Sequence, residues 1–153
     1  MGMDAGAART HLAGLDGVTA KAAWGETSYF YNPGNLFARG TYFATIKEKD
    51  GENDRASALN REGVWRLSMG VRTETFDTLF GPRPSRPAKG GVVDGPWDFE
   101  RLDALTPHPV YGWMGWIAVL NPSADTFERC RPLIADAHAR AVAAFDKRAA
   151  ARR

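Results

Sequence analysis

The sequence predicts an α+β fold in which an antiparallel sheet of about five or six strands packs, as a two-layer sandwich, against helices on one face. Short runs rich in β-branched and aromatic residues follow one another across turn residues, and the last third carries a long apolar stripe with helical spacing. Strict β-α-β alternation is missing, which disfavours a doubly wound parallel sheet. With 153 residues, 44% of them hydrophobic, we expect a single domain spanning 1–153.

The first part of the chain alternates turn residues with short apolar runs. Apolar residues at helical spacing near the start predict a short helix. Gly25 separates two β-prone runs, which is typical of a hairpin. The predicted segments are a helix that ends near Gly14 or Gly17, strands at 18–24, 27–31 and 41–47, and a turn at Asp50-Gly51.

The segment 64–72 shows the clearest alternation in the chain, which predicts a strand with two chemically different faces. We expect the more polar of these faces to be solvated or functional, because antiparallel sheets commonly expose one side. The apolar face carries Trp65, Leu67, Met69 and Val71, and the other carries Arg66, Ser68, Gly70 and Arg72.

A short helix follows this strand. Thr73 is the predicted N-cap, Glu74 suits the positive end of the helix dipole, and Gly81-Pro82 ends the helix. The residues after it, 81–96, are rich in Pro, Arg and Gly, so they predict a long exposed loop.

The last third predicts a helical turn over 98–105, interrupted by Pro107, and then an apolar strand at 116–120 that is buried on both faces. Ser123 caps the helix that follows. Pro132 is expected to kink or restart this helix, and residues 148–153 are expected to fray. The apolar stripe of the helix comprises Phe127, Cys130, Ile134, Ala137, Ala141 and Phe145.

Composition excludes several classes of protein. The 20 basic and 18 acidic residues give a formal charge of +2, which does not by itself indicate nucleic-acid binding. Cys130 is the single cysteine and His11, His108 and His138 are scattered, so we expect no disulfide and no metal. No stretch has the length and apolarity of a membrane span or the pattern of a secretory signal, so we expect a cytoplasmic protein with no membrane partner.

Several elements carry a resemblance to a bacterial family of unknown function, over about 17–147. More distantly, the order of elements resembles MmcQ/YjbR-like domains, small α+β proteins for which DNA binding has been suggested. The resemblance implies the two-layer fold and supplies no catalytic residue. The matching motifs include Gly63 to Val71, Glu74 to Phe76, and the signature HPVYxxxGWIAVLNPS, which lies between His108 and Ser123.

Two clusters are candidate ligand-binding sites. His108 lies between two prolines beside Tyr111 and Trp113, where a histidine can bind an anion or relay a proton and aromatic rings can line a binding surface. Arg66 and Arg72 offer forked donors to a phosphate, with the small Ser68 and Gly70 leaving room between them. Each feature also has a purely structural explanation. His108 can be bonded to a backbone group, the aromatic rings can be packing residues, and the face with Arg66 and Arg72 can be a solvated face of the sheet.

Asp50, Glu52, Asn53 and Asp54 form an acidic turn whose spacing fails the calcium-loop pattern, because Arg55 and Arg61 occupy the positions of its Gly and Glu. We therefore interpret this segment as a charged hairpin connection.

Two functions follow from these residues. The first is a non-catalytic binding module, without a cofactor, for a small anionic ligand, nucleic acid or a protein partner. The alternative is a small hydrolase or isomerase with His108 as general acid or base and Tyr111 or Arg72 steadying charge. We expect a monomer or homodimer. The basic residues of the loop and tail imply at most weak, non-specific nucleic-acid binding, and they are Arg83, Arg86, Lys89, Lys147, Arg148, Arg152 and Arg153.

Overall fold

A computed structural model describes residues 3–152 and confirms the α+β prediction. Within these residues, three helices accompany one antiparallel sheet of six strands in the order β1-β2-β3-β4-β6-β5. The elements are α1 (Ala5–Ala13), β1 (Val18–Ala23), β2 (Glu26–Tyr31), β3 (Thr41–Lys47), β4 (Arg66–Gly70), α2 (Thr73–Phe80), β5 (Leu105–Pro107), β6 (Trp116–Leu120) and α3 (Ala124–Ala151).

The hydrophobic core lies between one face of the sheet and the helices. The apolar side chains of β4 and β6 meet the predicted stripe of α3, all six members of which are buried. Ser123 caps α3 as predicted, since its hydroxyl accepts the backbone N–H of Thr126 at 3.1 Å. β6 lies between β4 and β5 and is buried along its whole length, which confirms a central strand.

The long helix runs without a break from Ala124 to Ala151, so the predicted restart at Pro132 is wrong. Pro132 lies on the exposed side of α3, where the missing hydrogen bond leaves the Glu128 carbonyl open to water, and the stripe on the opposite side packs continuously against one core. At the predicted fraying end, Arg148 and Arg152 stack against Phe37 and donate to backbone carbonyls, while Arg153 lies outside the described residues.

Two further predictions are corrected. The segment 98–105 is irregular rather than helical and leads into β5. Pro107 is tolerated in β5 because this strand lies at the edge of the sheet, where a residue without an N–H donor costs no ladder hydrogen bond. The N-cap of α2 is Arg72 rather than Thr73. Asp136 of α3 accepts the backbone N–H of Arg72 at 2.9 Å, which fixes the start of α2 one residue earlier.

A bulge in β3 changes which side chains face the second side of the sheet. Tyr29 of β2 pairs with Ala44 while Phe30 pairs with Tyr42, so Phe43 is the extra residue. Phe43 packs into the core against His138 of α3. Tyr42 consequently lies on the same side as Thr45, where strict alternation would have placed it on the opposite side.

The second face of the sheet is also buried, so Arg66, Ser68 and Gly70 do not form a solvated face, which is one of the two predicted alternatives. Two connections fold across this face: residues 48–65, between β3 and β4, and residues 108–115, between β5 and β6. We call these two connections the cover. Most residues of the loop 81–96 are exposed or half-buried, but Val93 is buried and its N–H donates to the Pro109 carbonyl at 2.9 Å.

Candidate functional site

A polar pocket of about 410 Å³ lies between the cover and the second face of the sheet. Its volume falls in the range typical of small-molecule sites. Strands supply the floor, and the cover supplies the opposite wall. The lining residues are Glu26, Tyr42, Thr45, Lys47, Glu52, Asn53, Asp54, Ser68, His108, Tyr111, Met114 and Trp116.

Arg66 is 1% exposed and forms an ion pair with Asp54 of the cover. Two guanidinium nitrogens donate to the two carboxylate oxygens of Asp54, and Nη1 also donates to the Ser57 hydroxyl at 3.2 Å. Burial raises the pKa of Asp54, but its hydrogen bonds and charge interaction with Arg66 outweigh burial and leave that pKa below its usual value. The carboxylate is therefore ionised at neutral pH and ties the cover to β4.

The ring of His108 is fixed by the chain around it. Nδ1 accepts the backbone N–H groups of Val110 at 3.1 Å and Tyr111 at 3.0 Å, so it carries the lone pair and the proton of the neutral ring lies on Nε2. Nε2 is 4.0 Å from Oδ2 of Asp54, too far for a direct hydrogen bond.

Burial, reinforced by the Arg66 charge and opposed by Asp54, holds the pKa of His108 well below its usual value. The ring is therefore a neutral hydrogen-bond donor at neutral pH, with Nε2–H in the neighbourhood of the Asp54 carboxylate.

Ser68 lies on the floor of the pocket, in the middle of β4. Ser68 is 1% exposed, and its hydroxyl has no hydrogen-bond partner among residues 3–152. Nε of Arg66 is likewise buried without a partner among these residues. Buried polar groups are nearly always paired, so the unpaired hydroxyl of Ser68 beside the cavity needs a water molecule or a ligand to complete its hydrogen bonding. Thr45, its cross-strand neighbour on β3, adds a second hydroxyl to the floor.

Aromatic side chains form the apolar part of the pocket. The rings of Tyr42 and Trp116 lie 4.7 Å apart between centroids, and those of His108 and Tyr111 lie 5.0 Å apart. Gly70 makes room for the indole, because a Cβ at position 70 would be 2.8 Å from Cε2 of Trp116. Burial raises the pKa of Tyr42 to about 12, so its phenol stays protonated.

The charges of the pocket do not favour an anion. Its lining holds three carboxylates, those of Glu26, Glu52 and Asp54, against the single ammonium of Lys47, and the Arg66 guanidinium behind Asp54 is already paired. Lys47 itself lies 3.8 Å from Glu26. A bound carboxylate or phosphate would therefore have to compete with the carboxylates already beside these cations.

The structure brings together only some of the residues predicted from the sequence. His108 and Tyr111 line the pocket, with Arg66 behind Asp54. Arg72 lies beyond the end of β4 and faces Asp136 of α3, so it does not share a site with Arg66. Trp113 faces away from the pocket lining and stacks under Arg86 of the exposed loop, 4.8 Å from the guanidinium carbon.

The sequence does not predict most of the floor and wall as site residues, including Asp54, Tyr42 and Lys47. The acidic turn, which the sequence predicts to be a charged connection, is closed by paired backbone hydrogen bonds between Gly51 and Asp54. One signal could have found Asp54: an arginine within a strand needs a carboxylate partner if it is buried.

A larger, shallower groove of about 730 Å³ lies elsewhere, lined by residues that include Met3, Trp65 and Asn121. It holds none of the predicted site residues and neither of the two buried unpaired polar atoms found within residues 3–152. The pocket beneath the cover is therefore the better candidate, despite its smaller volume.

Metal-binding and membrane-spanning features are not found in the described part of the chain. Among residues 3–152, no three His, Cys, Asp or Glu side chains form a group able to hold a metal ion. The helices of the same residues include none with the length and apolarity to span a bilayer.

Comparison with known protein families gives a match over nearly the whole chain. A family model described as a family of unknown function (DUF6194) matches residues 3–150, a range that contains every residue of the pocket. No curated protein and no solved structure matches the chain. The match confirms the expected resemblance to a family of unknown function, while the resemblance to MmcQ/YjbR-like domains stays a prediction.

Proposed function

Since the chain belongs to the family of unknown function DUF6194, we propose its function from its own pocket: it is a non-catalytic binding domain for a small organic ligand. The observation that carries the proposal is the buried, unpaired hydroxyl of Ser68 on the floor of a 410 Å³ cavity. The neutral Nε2–H of His108 is a second donor in the same cavity, and within residues 3–152 it makes no hydrogen bond. Rigidly held polar groups in a partly aromatic pocket are typical of small-molecule sites.

The state of His108 favours binding over catalysis. A general base needs a free lone pair, but Nδ1 of His108 is occupied by two backbone N–H groups and Nε2 carries the proton. The depressed pKa of the ring also keeps it from becoming an imidazolium acid at neutral pH. These facts support a ligand-orienting role for His108 over the hydrolase or isomerase alternative.

A small ligand is also better supported than nucleic acid or a protein partner. The pocket is bounded by acidic residues, whereas a nucleic-acid surface concentrates lysine and arginine. The distant resemblance to MmcQ/YjbR-like domains implies DNA binding, and we treat this as the competing outcome. A salt-sensitive DNA affinity that survives substitution of Ser68 would support that outcome and contradict the proposal.

The test is a thermal-shift screen of a broad panel of metabolites, with labelled duplex DNA at low salt as a separate arm. A compound that binds only the folded state stabilises it by RT ln(1 + L/Kd), where L is its free concentration, so Tm continues to rise as that concentration passes Kd. We expect at least one small compound to stabilise the wild-type chain and the Ser85→Ala control, in which an exposed loop serine is changed. The same compound should shift the Tm of Ser68→Ala much less. Equal shifts in both variants, or no stabilising compound, would overturn the proposal.

A further inference from the structure

The pocket presents a donor and an acceptor side by side at its inner end. Nε2–H of His108 donates, and Oδ2 of Asp54, 4.0 Å away, accepts. Each Asp54 oxygen accepts one N–H from Arg66, so each keeps a further lone pair. A ligand that matches this edge carries an N–H next to a hydrogen-bond acceptor, as a lactam, amide or amidine does.

Aromatic rings stand beside this polar edge. Trp116 and Tyr42 stack on each other on the sheet side, and Tyr111, which is 48% exposed, stands over His108 at the mouth. Flat ligand rings gain stacking energy from such side chains, largely independently of the ring's identity. Gly70 leaves the space that the indole of Trp116 occupies, because a Cβ at this position would collide with the ring.

The charges of the lining residues also limit the charge of the ligand that the pocket can accept. Glu26, Glu52 and Asp54 outnumber Lys47, and Lys47 already lies beside Glu26. An anionic ligand would be repelled by these carboxylates, while a neutral or singly protonated one would not. This departs from the anionic ligand expected from the sequence, because Arg66 and Arg72 are each paired with an aspartate.

Resting on the proposed function, we infer that the ligand is a neutral or singly protonated planar nitrogen heterocycle with an adjacent N–H donor and acceptor. Its edge faces Asp54 and His108, with the acceptor on the His108 side. Its ring lies against Trp116 and Tyr111, and the Ser68 hydroxyl bonds to a further polar atom of the ligand.

Four probes separate these requirements. 2-Pyridone has both a flat aromatic ring and an adjacent N–H donor and carbonyl acceptor. 1-Methyl-2-pyridone keeps the ring but lacks the N–H, and 2-piperidone keeps the donor and acceptor but lacks the aromatic ring. Inorganic phosphate has neither feature. Affinities are measured by NMR titration of the full chain, following the indole N–H of Trp116 and the ring resonances of His108. We expect 2-pyridone to bind at least tenfold tighter than each of the other three.

Tyr111→Ala supplies a variant that should fold, since the side chain is half exposed. Trp24→Ala is its matched control, because Trp24 is 95% exposed and does not line the pocket. We expect Tyr111→Ala to weaken 2-pyridone binding about fivefold and Trp24→Ala to leave it unchanged.

The outcomes distinguish the inference from the proposed function. Equal affinity of 2-pyridone and either methylated or saturated analogue would overturn the inference. Phosphate binding that depends on Ser68 while 2-pyridone fails to bind would also overturn it, yet would leave a ligand-binding pocket standing. Failure of all four probes overturns the ligand class, and the proposed function falls with it only if the metabolite panel also yields no Ser68-dependent ligand.

Discussion

At the scale of single residues, the pocket depends on Arg66, which the sequence pattern places on a face that is either solvated or functional. Alternation along 64–72 correctly separates Arg66 from Leu67, but it does not reveal that the arginine is buried. Burial depends on Asp54, which lies 12 residues earlier in an irregular connection. The side chain that compensates a buried charge is set by tertiary contact, so local periodicity carries no information on it.

Removing one member of this ion pair should destabilise the protein more than removing both. Arg66→Met leaves the largely buried Asp54 carboxylate without its partner, so we expect a loss of about 3–5 kcal/mol in the free energy of unfolding. Arg66→Met combined with Asp54→Asn should lose less than Arg66→Met alone. Urea denaturation of the wild type, both single variants and the double variant measures the coupling. Strictly additive losses would show that the two side chains do not depend on each other.

The depressed pKa of His108 predicts how stability depends on pH. An unfolded histidine takes up a proton below about pH 6.5, whereas the buried His108 stays neutral, so acidification favours the unfolded chain. From pH 7.5 to 5.5 the wild type should lose about 1 kcal/mol more than His108→Gln. Asp54 does not contribute to the pH dependence of stability between pH 7.5 and 5.5, because its pKa is lowered from 3.8. The stabilisation from its ionised carboxylate is lost only at stronger acidity.

Urea denaturation at the two pH values gives this difference directly. The ring ¹⁵N shifts of His108 in the wild type provide a check that does not need the variant to fold. They should report a neutral ring with its proton on Nε2 at both pH values. An equal pH dependence in the two proteins, or a protonated His108 ring at pH 5.5, would contradict the assignment.

At the scale of elements, irregularities of the chain create the pocket. The bulge at Phe43 directs Tyr42 toward the second face of the sheet, and the two connections of the cover bury that face. Helices and strands with strong periodicity, such as α3 and β6, could be predicted from the sequence because their apolar side chains repeat in phase. The bulge could not, because it requires the register between β2 and β3.

Pro132 offers a test of how α3 is held. The proline is exposed in the helix interior, and it leaves the Glu128 carbonyl without its intrahelical bond. Pro132→Ala should therefore raise the free energy of unfolding by about 1–3 kcal/mol with unchanged far-ultraviolet circular dichroism. Ala135→Gly, at another exposed position of α3, should lower it by about 1 kcal/mol. A destabilised Pro132→Ala would show that the ring contributes packing or fixes the direction of the helix.

At the scale of the whole molecule, sequence reasoning succeeds for the helical side of the sheet and fails for the other. The stripe from Phe127 to Phe145 and the central strand 116–120 follow from patterns within each segment, and the antiparallel sheet follows from the missing β-α-β alternation. The cover lacks regular periodicity, and its fold depends on contacts such as Asp54 to Arg66 and the Nδ1 bonds of His108. His108 and Tyr111 were predicted as site residues because they lie together in sequence; Asp54 and Tyr42 reach the site only through the fold.

The central claim is that the pocket beneath the cover binds a small molecule. Chemical-shift mapping tests it most directly: a stabilising compound from the metabolite screen is titrated into uniformly labelled protein, and the backbone and side-chain resonances are followed. The account predicts saturable shifts centred on Ser68, His108 and Trp116, with Trp24 and Arg83 unaffected. Shifts centred on the exposed loop 81–96 or on the groove beside Trp65, with Ser68 and His108 unmoved, would contradict it.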